Sequence, residues 1–233
     1  MEILSFIKKI IIFFFPDIKR SYVSPPSSVG NKFFLPVLNT DGNWEKYLSQ
    51  PMESQWAGNF DESNCTTQSG INLIETILNY YLMNNLLPKD IDYAFEQFFC
   101  NKEGFVKLST RYIATMAGTT KKGLNMSDFW LSVNRDGIIP LTAYPDPKAG
   151  FTWEEYYQPV PQKVKDFGKQ VAKIFQFDWQ VFQNGNWNAP IIANLKQVLK
   201  GSPIHWAGAC CPKDQAGITR PCGAKVYCHA RMI

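Results

Sequence analysis

The stretch CTTQSGINLIETILNYYLM, residues 65–83, constrains the fold of this chain more than any other. Its apolar side chains at Ile71, Ile74, Ile77, Leu78, Tyr81 and Leu82 recur every three or four positions, so a helix would gather them on one face. Asn64 or Ser63 stands where an N-cap belongs. An apolar stripe of that length must be covered, so a core is predicted around this helix. Its first residue is Cys65, which sets a thiol where unpaired amides carry partial positive charge. Such a cysteine is either a small packed residue or a nucleophile.

Two further helices are predicted at about 89–99 (KDIDYAFEQFF) and about 126–135 (MSDFWLSVNR), before the prolines of DGIIPLTAYPDP break the pattern. Beyond Phe151, VPQKVKDFGKQVAKIFQF is a candidate helix, and IIANLKQVLKG is a short amphipathic one ended by Gly201. SPIHWAGACC alternates and is rich in strand formers, and AKVYCHARMI reads as another strand. Helices in the first half and strands in the second predict an α+β protein with segregated lobes.

Residues 21–36 (SYVSPPSSVGNKFFLP) read as a linker or wrapped arm. The first twenty residues hold only the short apolar run IIIFFF, less than a signal peptide or a membrane span requires. They are expected to dock as a short helix on the core, or to anchor the chain on a partner or a membrane surface. Residues 1–43 are thus an N-terminal apolar segment and arm, and residues 44–233 the folded domain. Within that domain a helical lobe is expected at about 44–150 and a β-containing lobe at about 151–233.

A net charge of +4 with no dense Lys/Arg run leaves nucleic acid without support as a partner. Four of the six cysteines (Cys210, Cys211, Cys222 and Cys228) crowd the C-terminal quarter. They suit disulfides in an oxidising compartment, or zinc together with His229, although no C-x2-C knuckle is present. No metal or other cofactor is otherwise implied. There are two histidines. Either could partner Cys65: His205 lies inside the apolar alternation SPIHWAGA and reads as a packed or rim residue, and His229 begins CHARMI, near the end of a predicted strand.

These landmarks occur in an order that resembles the papain-like cysteine peptidases, phage and bacterial members most of all. WEKYLSQPMESQWAGNFDESNCTTQSGINLIE resembles the family's opening, with a Trp, a Gln ahead of the cysteine and a helix that the nucleophile begins. GTTKKGLNMSDFWLSVNRDGIIPLTAYP resembles the glycine-containing wall of the substrate cleft, with the helix, Gly-Ile turn and Tyr-Pro that follow it. NLKQVLKGSPIHWAGA and CHA at 228–230 resemble the last helix and strand before the catalytic histidine, and the His-Ala that carries it.

The resemblance implies a two-lobe papain-like fold, its central helix starting at Cys65, with an antiparallel β lobe present only in part. It implies Cys65 as nucleophile, His229 as base and later acid, and Gln55 as a donor to the oxyanion. Gly118, Gly123 and Leu124 would receive the substrate side chain. The expected activity is hydrolysis of a polypeptide substrate through an acyl-enzyme. The expected partner is a chain that completes the β lobe or receives the N-terminal segment. Relative to the family, the chain stops before the Asn that orients the imidazole. That departure raises the alternative of an inactive peptidase-fold structural or interaction protein, for instance in a viral or phage particle, and leaves a virion or exported location open. Asn64-Cys65-Thr66 is also formally a glycosylation sequon, and a glycan there would cover the thiol.

Overall fold

The computed structural model describes residues 39–49, 63–87, 89–147, 150–175, 177, 189–209 and 227–232. Seven α-helices run through them: α1 (Cys65–Met83), α2 (Lys89–Phe98), α3 (Thr110–Met116), α4 (Met126–Asp136), α5 (Trp153–Tyr156), α6 (Gln162–Val171) and α7 (Ala189–Leu199). Two 3-10 turns, Glu45–Tyr47 and Leu141–Ala143, and two strands, β1 (His205–Ala209) and β2 (Tyr227–Met232), complete the described elements.

Helix α1 is central. Its apolar residues Ile71, Ile74 and Leu78 are buried, but so are Thr66, Thr67, Gln68, Ser69, Glu75, Thr76 and Asn79. It is enclosed by α3, α4, both strands and the first 3-10 turn. Gly70 permits the approach of α4, because a methyl group there would overlap the Phe129 ring. The core continues through Val106, Leu108, Ile113, Phe129, Val133, Ile138 and Ile139, all essentially inaccessible. Burying side chains of this kind contributes roughly 1.5–3 kcal/mol each.

Polar residues on α1 do work that a neighbouring strand would otherwise do. Residues 105–108 run extended beside it, and their backbone donors must be satisfied in a dry setting. Asn79 Oδ1 accepts from the Val106 N–H at 2.8 Å, and Glu75 Oε1, one turn earlier, accepts from the Leu108 N–H at 2.7 Å. Asn79 Nδ2 donates to Tyr47 O and Ser49 Oγ, while Ser49 Oγ donates to Val106 O. A single side chain thereby binds α1, the 45–49 segment and the extended run together.

The expected fold class is overturned. Among the described residues the structure is mostly helical, and strand is confined to one two-stranded antiparallel ribbon, so this is not a two-lobe α+β papain fold. Local chemistry explains the difference. Thr152 and Glu155 close a reciprocal capping box on α5, and α6 starts at Gln162, directly after Pro161 at its N-cap. Val164, Phe167 and Val171 then follow at helical spacing and turn toward the core. Two strands cannot close a sheet or bury a face of their own. They lean on α1 instead.

The helices expected at 65–83, 89–99 and 126–135 and the strands holding SPIHWAGA and CHARMI are all present, within a few residues. Helix α3 was not expected. Ser109 caps it by accepting from the Tyr112 N–H, and its Arg111 donates to Tyr156 O, Pro145 O and Glu155 O at 2.7–2.9 Å. The guanidinium also lies over the rings of Tyr144 and Tyr156. This buried cation holds the 144–157 segment against α3. The N-terminal segment before residue 39 lies outside the described residues, and no described helix is long and apolar enough to cross a membrane.

Candidate active site around Cys65

Two residues lead into the thiol. Ser63 adopts a left-handed backbone (φ 52°), uncommon for a side chain with a Cβ. Asn64 occupies the N-cap position that the sequence predicts, but its side chain does not cap. It is buried instead, and its Nδ2 donates to the Tyr156 hydroxyl at 3.0 Å. Cys65 is partly exposed and free. With no side-chain cap over the first turn, the positive end of α1 faces the thiol and whatever binds beside it.

A loop brackets this cysteine from both sides. Ser63 Oγ donates to Lys121 O at 3.3 Å, and Thr66 Oγ1 donates to Leu124 O at 2.9 Å. Around the first of those anchors, Thr120 and Gly123 exchange backbone bonds across a tight turn. Of the residues expected to form the substrate wall, Leu124 is bonded to Thr66 and Gly123 lies against the Ser63 carbonyl, next to Cys65, whereas among the described residues no contact joins Gly118 to this cysteine. The two glycines have a backbone reason for their places. Gly118 (φ 77°) follows the last turn of α3, and Gly123 (φ 92°) closes the Thr120 turn, both conformations that favour glycine. On the rim, Lys121 Nζ lies 3.8 Å from Glu154 and above the Trp153 ring.

His205 enters from β1. Its Nε2 is 2.8 Å from Ser69 Oγ, and Ser69 is one helical turn beyond Cys65 on the same face of α1. The Ser69 hydroxyl already donates to Cys65 O at 2.7 Å, with Thr66 O at 3.2 Å. One hydroxyl has one proton, so His205 Nε2 must be the donor to Ser69, and Nδ1 carries the lone pair. Nδ1 is buried without a partner, and the ring meets Phe129 and Trp130 edge-on at 5.5 and 6.0 Å. Burial pushes the imidazole down to about 4, opposed in part by its contact with the Thr66 backbone. It is therefore neutral at ordinary pH, a packed histidine as expected from SPIHWAGA.

His229 stands in β2 opposite Gly208, and its side chain is outside the described residues. In the same ladder His205 pairs with Met232, so the two histidine positions are three registers apart, about 10 Å along the ribbon. β2 packs against α1, the helix that Cys65 opens. Gln55, Cys210, Cys211 and Cys222 lie outside the described residues. Among the described residues no three His, Cys, Asp or Glu side chains converge to hold a metal ion.

Tyr156 and Ser69 were not singled out from sequence. Ser69 was within reach of such reasoning, because it follows Cys65 at the i+4 spacing that shares a helix face. Nothing local marks Tyr156, which meets Asn64 across 92 positions of chain. No protein-family model matches the sequence. Neither the curated proteins nor the solved structures include one that matches it.

Proposed function

We propose that this chain is a cysteine peptidase, with Cys65 as nucleophile and His229 as its base. A single observation carries the reading: the strand that bears His229 packs along the helix that Cys65 opens, while the 118–124 loop is bonded on either side of the same cysteine. The two-lobe architecture forms no part of it.

In the proposed reaction His229 takes the Cys65 proton, and the sulfur attacks the carbonyl carbon of a peptide. The Cys65 N–H and the Gln55 side-chain amide hold the resulting oxyanion. Collapse breaks the C–N bond, His229 returns the proton to the leaving amine, and a thioester remains. Water, deprotonated by His229, hydrolyses it to a carboxylic acid and regenerates the thiol. Gly118, Gly123 and Leu124 line the side on which the substrate lies.

The test is a peptidyl epoxide added to the full chain, followed by intact mass and peptide mapping. One adduct is expected, on Cys65, absent from Cys65→Ala and slowed about 100-fold or more in His229→Ala. An unlabelled chain, or label on another cysteine such as Cys100, would falsify the assignment.

A further inference from the structure

We propose that the Ser69–His205 hydrogen bond is the positioning contact that seats the β1–β2 ribbon on α1, and so sets where His229 stands relative to Cys65. The inference rests on the hydrolase reading for its purpose, though not for its geometry. His205 is the first residue of β1, and its partner across the ladder is Met232, near the end of β2. A bond made there fixes one end of the ribbon to the helix, and the backbone ladder carries that placement three registers on, to the Gly208–His229 pair.

Three observations favour positioning over proton transfer for His205. Its Nε2 proton is committed to Ser69, whose own proton is committed to the Cys65 carbonyl. Its other nitrogen is enclosed and has no partner. Its ring is wedged against Phe129 and Trp130, so the contact also keys the ribbon to α4. Ser69 itself is buried, and no water is needed to complete the bond. A histidine in this place acts as a neutral peg rather than as a titrating group. The same hydroxyl that receives the peg reaches back to the carbonyl of the nucleophile's own residue, so the peg and the thiol share one turn of helix.

The test compares Ser69→Ala, which deletes the acceptor, with Ser69→Thr, which keeps a hydroxyl. The readouts are amide hydrogen exchange and the rate at which iodoacetamide alkylates Cys65 at pH 6 and pH 9. In Ser69→Ala the amides of β1 and β2 are expected to exchange at least about tenfold faster, with those of α3 and α4 unchanged. Alkylation at pH 6, where only a base-paired thiol reacts quickly, should slow about tenfold, and at pH 9 it should stay within about twofold. Ser69→Thr should recover both. If Ser69→Ala does not fold, His205→Phe removes the donor while keeping a ring between Phe129 and Trp130, and the same changes are expected of it.

Ribbon exchange unchanged in the variant would overturn the proposal, as would a slowed pH 6 reaction that Ser69→Thr does not restore. If the unmodified chain alkylates at pH 6 no faster than a free thiol, the hydrolase reading fails and this role in catalysis fails with it. The exchange arm then decides separately whether Ser69 seats the ribbon.

Discussion

His205 links a single side chain to the behaviour of the protein in acid. In the unfolded chain its imidazole titrates near the ordinary value of 6.5, and in the fold it does so at about 4. A proton is therefore bound by the unfolded chain before it is bound by the folded one. The stabilisation is fully present above pH 6.5, declines as pH falls, and is gone near pH 4. The total at stake is about 3 kcal/mol. Denaturant melts between pH 7 and pH 4 should show this loss, and His205→Asn should shrink the pH dependence by about one proton. An equal slope in the two proteins would mean that the ring is not sequestered. The position of His205 was legible in SPIHWAGA; the i+4 spacing puts Ser69 on the face of Cys65, but its pairing with His205 across 136 positions of chain was not legible.

At the scale of elements, the approach of α1 to α4 depends on Gly70. Elsewhere in a helix Gly→Ala stabilises by up to about 1 kcal/mol. Here the added methyl meets the Phe129 ring, and overpacking of that kind costs about 1–3 kcal/mol. Gly70→Ala should therefore lower the thermal midpoint. In a Phe129→Leu background the penalty should shrink or reverse, which a double-mutant cycle measures directly. The pattern of α1 and α4 was plain in the sequence, since both keep an apolar stripe. Helix α3 was hidden: TRYIATM offers β-branched and aromatic residues that favour strands by propensity, and only tertiary burial of Tyr112 and Ile113 decides the matter.

For the molecule as a whole, Arg111 is the residue through which distant segments become one body. Its three carbonyl contacts hold the 144–157 segment, which in turn presents Tyr156 to Asn64 beside the thiol. Lysine cannot reproduce a planar fork of donors. Arg111→Lys should cost about 2–4 kcal/mol by leaving buried carbonyls unpaired. It should also speed amide exchange at 153–157, well before α4 is affected. A variant indistinguishable from the parent in urea would contradict this account. The expected β lobe failed at this scale too. Alternation in two short segments was real, but it specifies strands and not how many neighbours they have, and residues 153–156 and 162–171 ahead of them are helical.

The buried amide of Asn64 has a practical corollary for anyone making the protein. A sugar can be attached to that nitrogen only while the chain is still open, since in the closed form the amide already serves Tyr156. Production in a host that glycosylates nascent chains would set oligosaccharide transfer against folding. Any molecule modified first would be barred from this arrangement, so a bacterial cytoplasm or an Asn64→Gln control is the prudent starting point.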